Sequence, residues 1–275
     1  MLASKGRVQV LNSVAADARP VKIGEELYSE DQVITMSEDY IGLVHKTGKT
    51  IEIDEPGVYK IVELEKKVPP VITEINIRLW SFIDQKMEEF DEEGNFNYKE
   101  KLAATAAVER ALEGEINLLV AGSGAHKFFN DQLILRWVSE DEADSYTVRL
   151  SNFFGDNLLN LETSEEYVEV DLSQPSIANE KFLVVEIITD RGKSSTKYQI
   201  QRIGDGEERQ ELEEVNAQYN NDNAMDALFM AIFFEERGLH LDALTQYERA
   251  IQLSPEIEML VDLRDQFIVN QGLGR

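Results

Sequence analysis

The stretch from Ala224 to Glu256 most constrains what this chain can fold into. Two apolar runs, Ala-Met-Asp-Ala-Leu-Phe-Met-Ala-Ile-Phe-Phe from Ala224 and Leu-His-Leu-Asp-Ala-Leu-Thr-Gln-Tyr from Leu239, flank Gly238, and Pro255 closes the second. Apolar residues recur at helical spacing in both. Small residues stand where two helices would touch: Ala231 on the first, Ala243 and Ala250 on the second. Phe234 and Tyr247 supply the bulk between them. Gly238 can take the positive φ of a tight helix-to-helix turn. Pro255 can open a following helix, where a missing N–H costs nothing.

The matching positions Ala231, Phe234, Gly238, Ala243, Tyr247, Ala250 and Pro255 resemble one tetratricopeptide repeat, of ~34-residue period. Ala227 departs, because the family carries a larger residue there. The resemblance implies a binding module. It puts the ligand-facing positions on Met225, Leu228, Ile232 and Glu235, a face that is unusually apolar. One repeat cannot bury its faces alone; about three are normally needed. Two accounts of the face stand side by side. An acidic helix over Glu207–Tyr219, with Leu212, Val215 and Tyr219 on one side, covers it; or it docks on a protein partner or a second copy of the chain. Asn223 is placed to cap the repeat's first helix. After Pro255, Ile257, Leu260, Val261, Leu263, Phe267 and Ile268 mark a last helix.

The amino-terminal part has another period. Short runs alternate apolar and polar residues: Val8–Leu11, Val21–Ile23, Gln32–Thr35, Ile41–Val44, Thr50–Ile53 and Val58–Val62. Period two with β-branched residues predicts half-buried strands, and Thr47-Gly-Lys49 and Glu55-Pro-Gly57 are turn signals. The order Val21-Lys-Ile-Gly-Glu-Glu-Leu, Asp31-Gln-Val-Ile-Thr, Tyr40-Ile-Gly-Leu-Val and Gly48-Lys-Thr-Ile-Glu-Ile resembles a FecR-like domain. That resemblance implies a sensing or scaffolding module without catalysis, of a kind common in the bacterial periplasm.

Val68-Pro-Pro70 ends this segment. Ile72, Ile75, Leu79, Phe82, Ile83, Met87 and Phe90 predict one linker helix; Asn97 and Glu100 read as a capping box for another, ending at Gly114. Strand patterns return after Ala121-Gly-Ser-Gly124, at Leu133–Trp137, Ser145–Leu150, Leu158–Leu161, Tyr167–Val170, Phe182–Ile188 and Tyr198–Ile203. Their even spacing suggests an immunoglobulin-like sandwich. Trp137, Tyr146-Thr-Val-Arg-Leu and the long strand at Phe182 resemble a fibronectin type III arrangement. Trp137 is expected in the core; the other account gives Trp137, Tyr146 or Tyr167 to sugar stacking. The fold class is therefore multidomain α+β. A small antiparallel β domain spans residues 1–67, a helical linker 68–120, a β-sandwich 121–204 and a tetratricopeptide-like bundle 205–275.

Charge narrows the partners. Asp and Glu number 53 against 27 Lys and Arg, for a net charge of −26. Such a field repels phosphate backbones and anionic lipid, so neither nucleic acid nor membrane insertion is expected. A partner with a basic rim fits. No Cys occurs, which removes disulfides and thiolate chemistry. His45, His126 and His240 sit in separate segments without ligand spacing, and no phosphate loop or nucleophile elbow is present. No metal site, cofactor or catalytic residue is expected. No stretch is apolar for the ~18 residues of a membrane span. The first residues carry no apolar leader, which suggests a periplasmic or envelope protein trimmed of its signal, or else a cytoplasmic one. The expectation is a non-enzymatic envelope scaffold that binds a protein partner through Met225, Leu228, Ile232 and Glu235. The alternative is a carbohydrate-binding or sensory module.

Overall fold

The computed structural model describes residues 1–12, 17–22, 24–68, 116–122, 124–139, 143–219 and 223–273. Both expected linker helices fall on residues 69–115, outside the described residues. The described chain is mixed α+β, mostly antiparallel, with a helical C-terminal part.

Two small antiparallel sheets form the amino-terminal unit. Strands β1 (Ala3–Lys5), β5 (Tyr40–Val44) and β6 (Thr50–Ile53) pair in the order β1-β5-β6. The other sheet runs β3-β2-β4-β7 and contains β2 (Gln9–Leu11), β3 (Arg19–Pro20), β4 (Gln32–Thr35) and β7 (Gly57–Lys60). Val8, Val33, Ile41, Leu43, Ile53, Ile61 and Leu64, drawn from both sheets and the segments beside them, form the core of the unit. The sequence suggests one strand over Val58–Val62, but the strand ends at Lys60 and a short helix α1 (Ile61–Glu65) follows. The turn turns Ile61 and Leu64 inward together, which helical spacing allows and strand alternation does not.

The middle unit is two facing sheets. One holds β8 (Ile116–Leu118), β10 (Gln132–Ser139) and β13 (Tyr167–Asp171) in the order β13-β10-β8. The other holds β9 (Ala125–Phe128), β11 (Tyr146–Asn152), β12 (Asn157–Thr163), β14 (Phe182–Thr189) and β15 (Tyr198–Arg202), ordered β12-β11-β14-β15-β9. All pairs are antiparallel except β9 with β15. Burial alternates along β11 and β14, so Val148, Leu150, Leu183, Val185 and Ile187 face Leu118, Leu135 and Trp137 across one core. The unit takes in Ile116–Leu118, ahead of residue 121, because β8 completes the edge of β10.

Four helices follow: α2 (Glu207–Asn216), α3 (Ala224–Glu236), α4 (His240–Leu253) and α5 (Glu258–Asn270). Asn223 caps α3, its side-chain oxygen accepting from the Asp226 N–H at 2.7 Å. Gly238, at φ 68°, turns α3 into α4. Pro255 lies in the turn before α5, not within it. After α5 the chain bridges back to the middle unit, Leu273 against Ala121.

Candidate functional site

Helix α3 is hydrophobic on every side. Such a helix must be covered on every side, and every residue from Ala224 to Glu235 is buried. Leu2, Ala3 and Tyr40 from the amino-terminal unit, Leu119, Phe129 and Ile203 from the middle unit, and the other helices share its core. The four residues assigned to a partner are therefore spoken for. Met225, Leu228 and Ile232 lie in this shared core. Met225 lies over β5 at Gly42, where an added Cβ would overlap its sulfur. Glu235 turns inward: it accepts from the Tyr247 hydroxyl at 2.8 Å and from Gln271 Nε2 at 3.3 Å. Burial beside Glu235 pushes the Tyr247 phenol well up. The cover expected from the acidic helix is present in part, since Leu212 and Val215 join the cluster and Tyr219 stacks on Phe229 at 4.5 Å. The rest of the cover comes from α4, α5 and the β units. The face is filled by its own chain and is not a partner surface in this structure.

Two joints hold the units together. At the first, the strands satisfy the start of α3. Glu52 accepts the Met225 N–H at 2.8 Å, the Thr50 hydroxyl donates to Asp226, and the Tyr219 hydroxyl donates to the Gly48 carbonyl at 3.0 Å. At the second, α4 satisfies the middle unit. Asp242 accepts the N–H groups of Phe129 and Asn130 at 2.9 and 2.8 Å and the Asn130 side-chain amide at 2.8 Å. Thr245 accepts the Ile134 N–H at 2.9 Å while donating to the Leu241 carbonyl. Burial raises the Asp242 carboxyl to about 6 despite those bonds. Farther along α4, Glu248 lies between Arg136 of β10 at 3.4 Å and Arg264 of α5 at 3.2 Å.

His45 stands apart from the other two histidines, its Nδ1 2.9 Å from Thr47 Oγ1. The fold does bring His126 and His240 close enough to interact: burial lowers both imidazoles, and His240 lowers His126 further. Separate segments hid that approach in the sequence. Among the described residues no group of three His, Asp or Glu has the geometry to hold a metal ion. No described helix is long and apolar enough to cross a membrane.

Trp137 is fully buried, with Tyr146 edge-on at 5.2 Å. Neither can stack a sugar. Tyr167 is half-buried beneath the Arg136 guanidinium. The large aromatics in solvent are elsewhere. At the tip joining β11 to β12, Phe153 is 67% and Phe154 89% exposed. The tip is held by its own bonds. Asn152 accepts from the N–H groups of Phe154 and Asp156 at 3.0 and 2.9 Å and donates to the Asp156 carboxylate at 2.9 Å. Gly155, at φ 92°, closes it. The adjacent Phe pair before Gly-Asp was the available sequence signal, because an apolar pair in a turn has no core to enter.

No protein-family profile and no curated protein matches the chain. Among solved structures, a β-1,2-glucanase from Parabacteroides distasonis aligns over 50% of this chain and 24% of its own, at 10% identity and a TM-score of 0.24. A likeness that slight carries no argument about fold or activity.

Proposed function

We propose that the chain is a non-enzymatic scaffold that docks a protein partner through the Phe153–Phe154 tip. The exposed phenylalanine pair is the observation that carries this reading. Burying a Phe side chain is worth ~1.5–3 kcal/mol, so the tip holds back free energy that a partner can recover. Aromatic anchors dominate interface energetics. The hydrogen-bonded loop is already ordered, which lowers the cost of binding. Asp156 beside the pair and the net charge of −26 suit a partner pocket with a basic rim. The inward-facing helices fit the same reading, because they hold the two β units in one arrangement.

The FecR-like, fibronectin-like and tetratricopeptide-like resemblances belong to this proposal, as does a place in the bacterial cell envelope. Supporting them are the paired small sheets, the two-sheet middle unit and the Gly238 hairpin. Of the three stacking candidates of the carbohydrate alternative, Trp137 and Tyr146 lie in the core, which leaves Tyr167.

The test is a photo-crosslinking residue at position 154, with Val58 on β7, an exposed apolar residue away from the tip, as the control. In source-cell extract, position 154 should give one discrete protein adduct that Phe153→Ser removes. Adducts at both positions alike, or at neither, would overturn the reading.

A further inference from the structure

We propose that the free edge of β12 takes an extended, basic strand of the docked partner, added alongside the five-stranded sheet. The inference rests on the docking reading above and names the segment that binds beside the tip. β12 is the terminal strand of its sheet and pairs only with β11. In an antiparallel strand every second residue turns its N–H and C=O away from that one neighbour. Among the described residues, no backbone bond from another element reaches them.

The other sheet edges are blunted. β3 contains Pro20, β1 ends in Lys5 and β7 in Lys60. β6 bonds to the start of α3, β13 to Gln252 of α4, and the residue after β9 to Asp242. β8 is only three residues long. β12 runs for seven residues without Pro, Lys or Arg, the residues that commonly guard an exposed edge. A bulge at Leu158, where Leu150 pairs with Leu159 and Ser151 with Asn157, ends the regular ladder on the side of the tip. Pairing is therefore offered along Leu159–Thr163. There Leu159 and Leu161 pack against the core, while Asn160 and Glu162 are exposed.

Charge selects the occupant. From Leu150 to Glu180 no Lys, Arg or His occurs, and Asp156, Glu162, Glu165 and Glu166 lie on or beside β12. Arg149, the one cation of β11, is taken by Glu186 at 3.3 Å. A second copy would bring like charges edge to edge, which destabilises pairing. A partner strand that alternates Lys or Arg with apolar residues fits both faces. Its bases meet Glu162, its apolar side chains continue the row of Leu159 and Leu161, and main-chain bonds supply affinity.

Calorimetry and amide exchange on the full chain, with the peptide (Val-Lys)5 as probe, test the edge. The peptide should bind at least tenfold more tightly than (Val-Glu)5. It should exceed by as much its own fully N-methylated form, which keeps the charge and removes every backbone donor. Exchange should slow at alternate residues of Leu159–Thr163. Asn160→Lys with Glu162→Lys, both at exposed positions, should weaken binding at least tenfold with unchanged circular dichroism. Equal binding of the methylated peptide, no binding, or an unchanged affinity in the lysine pair overturns the proposal. So does protection of all five amides before peptide is added, which gives the edge to a second copy if sedimentation shows a dimer. Replacing Phe153 and Phe154 by Ser should leave peptide binding unchanged, so loss of the adduct at position 154 and loss of the peptide report on separate claims.

Discussion

The two joints place an aspartate at the same point, the third residue of a helix, and use it in opposite directions. At Asp226 in α3 the β unit serves the helix: Glu52 takes an N–H that the helix start leaves orphaned, and Thr50 donates to the carboxylate. At Asp242 in α4 the helix serves the β unit, taking the backbone of Phe129 and Asn130. Buried N–H groups must find acceptors, so each joint is closed by whichever side has a side chain to spare. A helix end has other sources of relief, such as Asn223 at the cap of α3. A strand turn pressed against a helix has none. The joint to the middle unit should therefore be the more fragile one.

Asp242→Ala sharpens this most. It leaves two backbone N–H groups without acceptors, at ~1–3 kcal/mol each. Urea unfolding should show a loss of about 2–6 kcal/mol. Glu52→Ala removes one helix-end acceptor and should cost ~1 kcal/mol. Equal losses would break the contrast between the joints.

The next effect is steric and belongs to the first joint. Gly42 on β5 admits the Met225 side chain, and a Cβ there would overlap it. Gly42→Val overpacks a closed interface, at ~1–3 kcal/mol. The amino-terminal unit should loosen first, seen as faster amide exchange in β5 and β6 than in β11 and β14. Uniform exchange across both units would mean that the joint is not where the strain falls.

How much of this was legible in the sequence depends on range. Local signals carried through: the Asn223 cap, the Gly238 turn, the alternation along β11 and β14, and Trp137 as a core residue. The class was legible too, a mixed α+β chain with a helical end. What covers α3 was legible only in part: the Glu207–Tyr219 helix was named, and Leu212, Val215 and Tyr219 do pack there. A run from Ala224 to Phe234 with Asp226 as its one charge states that it must be buried all round, yet not that the β units complete the cover. Leu2, Tyr40 and Phe129, which share that core, lie about a hundred residues or more away. Asp242 and Thr245 read as ordinary polar helix positions, because their acceptor role exists only once the turn after β9 and strand β10 are packed beside them. The apolar face assigned to a partner was the same gap in reverse: apolarity was visible, and its owner was not.

Acidity separates the joints by a smaller amount. Burial raises Asp242 to about 6, above the ~3.9 of an unfolded Asp. The folded state therefore binds the proton more tightly. Asp242 costs stability above pH ~6, and the cost is relieved as pH falls toward ~4. Asp265, also raised to about 6, acts in the same direction, and the lowered histidines act in the opposite one. Asp242→Asn isolates the first contribution, because the other groups are common to both proteins. The stability of wild type relative to Asp242→Asn should rise between pH 7.5 and 5 by at most ~1.4 kcal/mol per unit. A flat difference would mean that the Asp242 carboxyl titrates as it does in the unfolded chain.

The smallest effect on stability is expected at the tip. Phe153 and Phe154 touch each other, with ring centroids 6.3 Å apart, and little else. Replacing both by Ser removes no core contact and leaves the Asn152 bonds in place. Surface changes of this kind fall within ~0.5 kcal/mol, so the urea midpoint should not move. Partner docking should be lost in the same variant. This is the reverse of Asp242→Ala, which lowers stability without touching the tip. If the serine pair instead destabilises the chain by more than ~1 kcal/mol, the phenylalanines support the fold. The free apolar surface that separates the tip from the joints would then not exist.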